Sequence, residues 1–306
     1  MILLEQMFIL FLLMMVGMIG RKKELINDVV CKGMSAIVLN IACPAFVLSA
    51  GINKDEYVSN EALLTCAICA IAIYAGLILC AVVIPYILRL PKNNYGTYRV
   101  MTIFSNIGFM GFPIVAATYG SIGLLYAATF QFPFNLLFYT YGIKTMQNSS
   151  DTETEATSSW KNILNVGVIS VFISIALYLL RVHVPESLAD AISSLSGLTV
   201  PLSMMVIGYA LGGMKIRSLL GDYRLLFFAF IKLILIPIIG ISLLKLFITD
   251  DTLLGVCFVM IATPVGSMTA MLAQCYGGDE DTASRGVALT TLLSVVTIPL
   301  VGGLCL

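Results

Sequence analysis

Two short runs hold residue types that could do chemistry in a chain otherwise made of apolar side chains. They are Phe104-Ser105-Asn106-Ile107-Gly108-Phe109-Met110-Gly111-Phe112-Pro113 and Ala262-Thr263-Pro264-Val265-Gly266-Ser267-Met268-Thr269. Proline removes a backbone donor and glycine costs about 1 kcal/mol in a helix interior, so each run predicts a helix that unwinds and starts again. Half-helices restarting near Gly108 and Gly266 would aim N-terminal N–H groups at a common point, each end equivalent to roughly +0.5 charge, and that point suits an anion. Asn106 is the leading side chain: an amide beside a half-helix start can donate to a carboxylate, and it can also cap the helix it precedes. Ser105, Gly108, Pro113, Thr263, Pro264, Gly266 and Ser267 complete the substrate contacts expected on the two runs. Gln131 and Asn135, one turn apart, could line the same site or hydrogen-bond across helices, and for Asn135 the packing role is the expectation.

Other polar residues take supporting roles. Asn40 and Pro44 mirror Pro201 and Ser203; the prolines read as kinks, and Asn40 divides evenly between site and packing. Lys232 is the one charge well inside an apolar stretch, which makes it a functional hypothesis by default. It lies seven residues past Leu225, about 10 Å along a helix, so it could equally snorkel to the cytoplasmic surface. Cys66-x-x-Cys69, inside an apolar helix with no further ligand nearby, reads as packing rather than metal. Gly208-x-x-x-Gly212 reads as a close-packing motif within one chain. His183, the sole histidine, reads as an idle loop residue, and no metal or cofactor is expected.

The elements that must position these residues follow from composition. Of 306 residues 59% are hydrophobic and 11% charged, where a soluble domain has about 25% charged, so the chain is an all-α membrane protein with the bilayer as its solvent. Seventeen basic residues balance seventeen acidic ones, which leaves no excess for nucleic acid. Apolar stretches fall near 2–20, 33–51, 62–89, 98–118, 121–146, 162–181, 188–213, 222–248, 252–276 and 286–304, ten in all. The first lacks a basic lead-in and reads as a retained helix rather than a cleaved signal. Polar, acidic residues 148–160 read as a flexible cytoplasmic linker between 1–147 and 161–306. Thirteen basic residues flank the odd-numbered loops and three the even-numbered ones, which predicts odd loops on the cytoplasmic side of the cell membrane and both termini on the outer side.

A shift of 157 residues lays Pro44 on Pro201 and Tyr119-Gly120 on Tyr276-Gly277, and carries the first five stretches onto the last five. Five is odd, so the two copies must lie in opposite orientation, and the loop charges reverse accordingly. Ten transmembrane helices in a 5+5 inverted repeat, with helices 4 and 9 broken and crossing at the midplane, is an architecture of secondary transporters.

The runs SNIGFMGFPI at 105–114 and ATPVGSMTAMLAQCYG at 262–277, the Lys232 to Pro237 spacing and the terminal TLLSVVTIPLV resemble the auxin efflux carrier family, which includes plant PIN carriers and bacterial organic-acid permeases. The resemblance runs over essentially the whole chain. It implies a ten-helix carrier with inverted repeats, with Asn106 at the family's site asparagine and Gln131 at its glutamine. Ser105 stands where the plant carriers have a proline before that asparagine, and Thr269 stands at a second proline of theirs. The long cytoplasmic loop of many plant members is missing.

A secondary transporter of a small organic carboxylate is the reading that accounts for these features. The alternative is a channel or transmembrane sensor on the same fold. An intramembrane enzyme lacks an Asp pair or a His beside a membrane Ser, and no nucleotide-binding loop supports primary transport. All acids lie in loops or at span ends, so the anion is expected to move without an obligatory proton or sodium partner, unless Thr263, Ser267 and Thr269 form a neutral sodium site. The expected partners are the anion and the lipid bilayer, with room for a homodimer.

Overall fold

The structure, a computed structural model, describes residues 2–52, 59–147, 165–214, 219 and 221–306. The linker at 148–160, and Lys54, Lys161, Lys215 and Arg217 of the loop-charge argument, lie outside the described residues. Every regular element among the described residues is helical. In chain order they are α1 (Ile2–Lys22), α2 (Asp28–Ile37), α3 (Cys43–Ile52), α4 (Asn60–Ile87), α5 (Tyr95–Ile103), α6 (Phe112–Thr129), α7 (Gln131–Leu137) and α8 (Ile143–Gln147). After the linker come α9 (Val166–Leu179), α10 (Glu186–Ser196), α11 (Thr199–Gly212), α12 (Tyr223–Phe230), α13 (Ile236–Leu244), α14 (Asp251–Ala262), α15 (Met268–Tyr276) and α16 (Glu280–Cys305). Single π-helical turns, Val38–Ala42, Phe138–Gly142 and Ile231–Leu235, join α2 to α3, α7 to α8 and α12 to α13, and another, Ile107–Gly111, leads into α6.

Polar residues sit where helices begin. Asn27, Asn165, Asp222, Asp250 and Asp279 each accept a hydrogen bond from a backbone N–H of the first turn that follows, which satisfies donors the helix itself leaves orphaned. Three acids kept out of the apolar stretches therefore have a local task.

Seven helical runs among the described residues are long and apolar enough to cross a membrane, against ten stretches read from sequence. The difference has an identifiable origin. The break after α5 cuts the fourth stretch and merges its remainder with the fifth in one 41-residue run, Ile107–Gln147; α9 is short; and the ninth stretch is divided between α14 and α15.

The chain forms two compact units, and each takes segments from both sides of the linker. The first comprises Met1–Ile68, Gly108–Phe132 and Leu164–Gly213. Its helices approach backbone to backbone at two crossings. Where α1 meets α11, a Cβ at Gly208 would stand 1.9 Å from the Met14 carbonyl oxygen, and one at Gly17 would stand 2.2 Å from that of Met205. Where α3 meets α9, a Cβ at Gly51 would stand 2.3 Å from the Ser174 carbonyl oxygen, and Ser174 Oγ donates to the Val47 carbonyl at 2.7 Å. Only glycine fits such approaches, which is the physical content of the Gly208-x-x-x-Gly212 motif. At the end of α1, Arg21 Nη1 donates to the Tyr209 carbonyl at 2.9 Å and its guanidinium lies 4.4 Å from the Tyr209 ring centroid. Cys66 is buried and hydrogen-bonds toward the Tyr126 carbonyl.

The second unit comprises Cys69–Ile107, Pro133–Ile163 and Met214–Leu306. Phe104, fully buried, is held edge-on by Phe134 and Phe138, and Gly142 leaves space for its ring.

Candidate functional site

The site is built from two helices that end early. Helix α5 stops at Ile103, and Phe104 leaves it in an extended conformation; α14 stops at Ala262, and Thr263 does the same. The freed segments run antiparallel and pair across the second unit. Asn106 N donates to the Pro264 carbonyl at 2.7 Å, Gly266 N donates to the Phe104 carbonyl at 2.9 Å, and Ser105 and Val265 face each other as a bridge. Unwound backbone at membrane depth survives only when its polar groups find partners in protein or a wet cavity. Here the partners are largely found: Val265 N donates to Thr290 Oγ1 at 3.1 Å, Ile107 N to the Ser105 carbonyl at 2.9 Å, and Thr263 Oγ1 to the Met260 carbonyl at 3.1 Å. A Cβ at Gly266 would come within 3.2 Å of the Phe104 and Ser105 carbonyl oxygens, so glycine is required by the approach of the other segment.

Lys232 completes the crossing. It sits in the π-turn between α12 and α13 with no exposed surface, and its Nζ donates to the Thr102 carbonyl at 3.0 Å and to Ser105 Oγ at 2.7 Å. The alternative of a lysine reaching for the cytoplasmic surface is thereby corrected: the amine turns into the protein, where two acceptors are offered at the end of a broken helix. A positive group there also suits the negative end of α5.

Within this unit the structure brings together Ser105, Asn106, Thr263, Pro264, Gly266 and Lys232. Asn106 is 7% exposed and Ser105 3%. Ser267, next in the chain, is exposed, while Thr269 is fully buried with a hydroxyl that finds no partner among the described residues. Asn135 belongs to this unit and is buried, in keeping with packing. The other expected residues belong to the first unit. Gly108 has open space where a side chain would point. Pro113 is the second residue of α6, directly after the π-helical turn Ile107–Gly111. Gln131 opens α7, half-buried, with Nε2 near Gly167 of α9. Pro44 is buried in α3, and Asn40 is exposed, its Nδ2 donating to the Ala36 carbonyl at 2.9 Å.

Sequence reasoning missed two parts. Thr290 looked like one more residue of the last span, yet it anchors the Val265 amide; a hydroxyl amid apolar neighbours was its only signal. The half-helix starts also lose to the crossing N–H groups expected to face an anion, those of Asn106, Ile107, Val265 and Gly266. The amides of Gly108, Ser267 and Met268 take no part in the crossing's hydrogen bonds.

Residues 2–301 match a family described as membrane transport proteins. An uncharacterized transporter of Methanothermobacter thermautotrophicus is 22% identical over 299 residues, covering 97% of this chain and 96% of the relative. An uncharacterized transporter of Methanocaldococcus jannaschii is 22% identical over 313 residues, covering the whole of both chains.

Proposed function

Because the chain belongs to the auxin-efflux-carrier-like family of membrane transport proteins, we propose that it is a secondary transporter that moves a small organic carboxylate across the cell membrane by alternating access. The observation that carries this reading is the hydrogen-bonded crossing of two broken helices with a buried lysine at its edge. Backbone is unwound inside a membrane protein at a cost, and transporters use such points to hold substrate. In this reading Asn106 donates its amide to the carboxylate. Within the same unit Ser105, Thr263, Pro264, Gly266 and Ser267 complete the contacts, and Lys232 supports them.

The architecture proposed is ten spans in two inverted copies, 1–147 and 161–306, joined by a cytoplasmic linker at 148–160. Two local features support the repeat. The glycines with positive φ among the described residues are Gly120 and Gly277, 157 residues apart. The same shift takes Gly51 to Gly208 and Gly17 to Ser174, so the α1–α11 and α3–α9 crossings use corresponding positions. In this topology both termini and the even-numbered loops face outward. A cysteine placed at Ser149, in a background lacking exposed cysteines, then stays unlabelled by an impermeant reagent on intact cells; labelling there reverses the orientation.

The test of function is uptake of mono- and dicarboxylates into proteoliposomes. Saturable flux, inhibited by related carboxylates and far below channel rates, is expected. Flux that rises linearly with concentration at channel rates supports a pore instead. Uncoupled carriage transfers net negative charge and responds to voltage by about 2.3 kcal/mol per charge per 100 mV. Accumulation at zero voltage that requires an imposed sodium or proton gradient overturns uncoupled carriage and leaves the carboxylate reading standing.

A further inference from the structure

We propose that Lys232 is the residue that gives the crossing its preference for a negative charge, acting through Ser105 and the last turn of α5 rather than by touching substrate. This rests on the carboxylate reading above. Four helix ends border the two crossing segments. The N-terminal ends, at Ile107 and Met268, are each equivalent to about +0.5 charge, and the C-terminal ends, at Ile103 and Ala262, to about −0.5. They sum to nothing, so broken helices alone give no reason to bind an anion rather than a cation or a neutral amide.

The symmetry is broken by what binds each negative end. At the end of α14 the Met260 carbonyl receives a neutral hydroxyl, Thr263 Oγ1, and the Val259 carbonyl receives the Thr263 amide. At the end of α5 the Thr102 carbonyl receives Lys232 Nζ. As an ammonium the lysine cancels that negative end with charge to spare, and among the described residues it forms no ion pair that would spend the remainder. The ion pairs recorded in this unit are those of Arg285 with Asp222 and Asp281, at helix starts. Lys232 also grips Ser105 Oγ, one residue before Asn106. The ammonium therefore fixes the strand that presents the asparagine and supplies positive potential to the same place. Fully buried charge is weakly screened, so its effect reaches a neighbouring site that it does not contact.

The experiment compares binding of acetate, malate and indole-3-acetate with binding of their neutral amides, by thermal shift and by uptake in proteoliposomes. The wild-type chain favours at least one acid over its amide. Lys232→Met, similar in length and uncharged, reduces that acid-over-amide ratio tenfold or more, while Lys232→Arg retains most of it. Ser105→Asp is the second variant. It leaves the lysine in place and cancels its charge with a carboxylate, so it loses the ratio as Lys232→Met does, including in the event that Lys232→Met fails to fold. A ratio unchanged in Lys232→Met, or in Ser105→Asp where only that variant folds, overturns the assignment to Lys232. Failure of the wild type to prefer any of the three acids overturns the carboxylate reading instead, so the two failures are distinguishable.

Discussion

In the first unit α1 meets α11, and α3 meets α9, with helices continuous through both crossings. The backbones come together because glycine lacks the side chain that would keep them apart. In the second unit α5 and α14 both end before the segments that follow them meet, and what joins those segments is a short ladder of main-chain bonds with a buried lysine at its edge. The first kind of crossing leaves every backbone group satisfied within its own helix and adds dispersion contact. The second exposes backbone groups to the need for partners, and each unmet donor or acceptor costs about 1–3 kcal/mol. A chain that needed only stability would use the first kind throughout. In the proposed reading the second is retained where substrate is held, and the difference then separates positions that hold the fold from positions proposed to hold substrate.

Four substitutions sharpen that division, beginning with the largest effect. Gly208→Leu places a side chain where even a Cβ meets the Met14 carbonyl at 1.9 Å, and it is expected to cost 3 kcal/mol or more, roughly the upper end of overpacking. Measured as loss of monodisperse protein on mild heating, a wild-type profile would show that α1 and α11 do not need the close approach. Asn106→Ala is expected to do the opposite. Abundance stays near normal while apparent affinity for the transported anion falls roughly ten- to a hundredfold, the worth of one hydrogen bond to a charged group. An unaltered transport affinity removes Asn106 from the site.

Gly266→Ala tests whether the second crossing tolerates a methyl group 3.2 Å from the Phe104 and Ser105 carbonyl oxygens. We expect folded protein with transport several-fold slower, read from initial rates at saturating substrate, and a wild-type rate would mean that the crossing gives way freely. Gln131→Ala has the smallest expected effect, a change in affinity of roughly threefold or less, since its amide lies against Gly167 where packing uses it. A tenfold loss there would move Gln131 from the packing class to the binding class.

How much of this was legible in the sequence varies with the kind of signal. Breaks at 104–106 and 263–266 were readable because proline and glycine act locally, on φ and on a missing donor. Gly208 was readable because a four-residue spacing of glycines marks one helix face. The 157-residue shift drew attention to Tyr119-Gly120 and Tyr276-Gly277, and both glycines carry positive φ. What could not be read was any bond between residues far apart in the chain. Lys232 and Ser105 are separated by 127 residues, and Val265 and Thr290 by 25, so neither pairing leaves a periodic trace. For the same reason the division into units, which draws on three segments each, was not visible in composition or hydropathy.

The placement of Lys232 bears on how the chain is made. A lysine near the centre of a span costs about 2.5–3.5 kcal/mol when a helix is passed from the translocon into lipid, and at that moment tertiary partners help only if they exist already. Thr102 and Ser105 precede Lys232 by 130 and 127 residues, so both acceptors leave the ribosome well before it. The helix that carries the lysine, Tyr223–Leu244, has a mean hydropathy of 2.5, exceeded among the long apolar helices by Glu61–Ile87 at 2.8. That surplus of leucine, isoleucine and phenylalanine around one cation lets the segment enter the bilayer during synthesis, ahead of the docking that brings the amine to its acceptors.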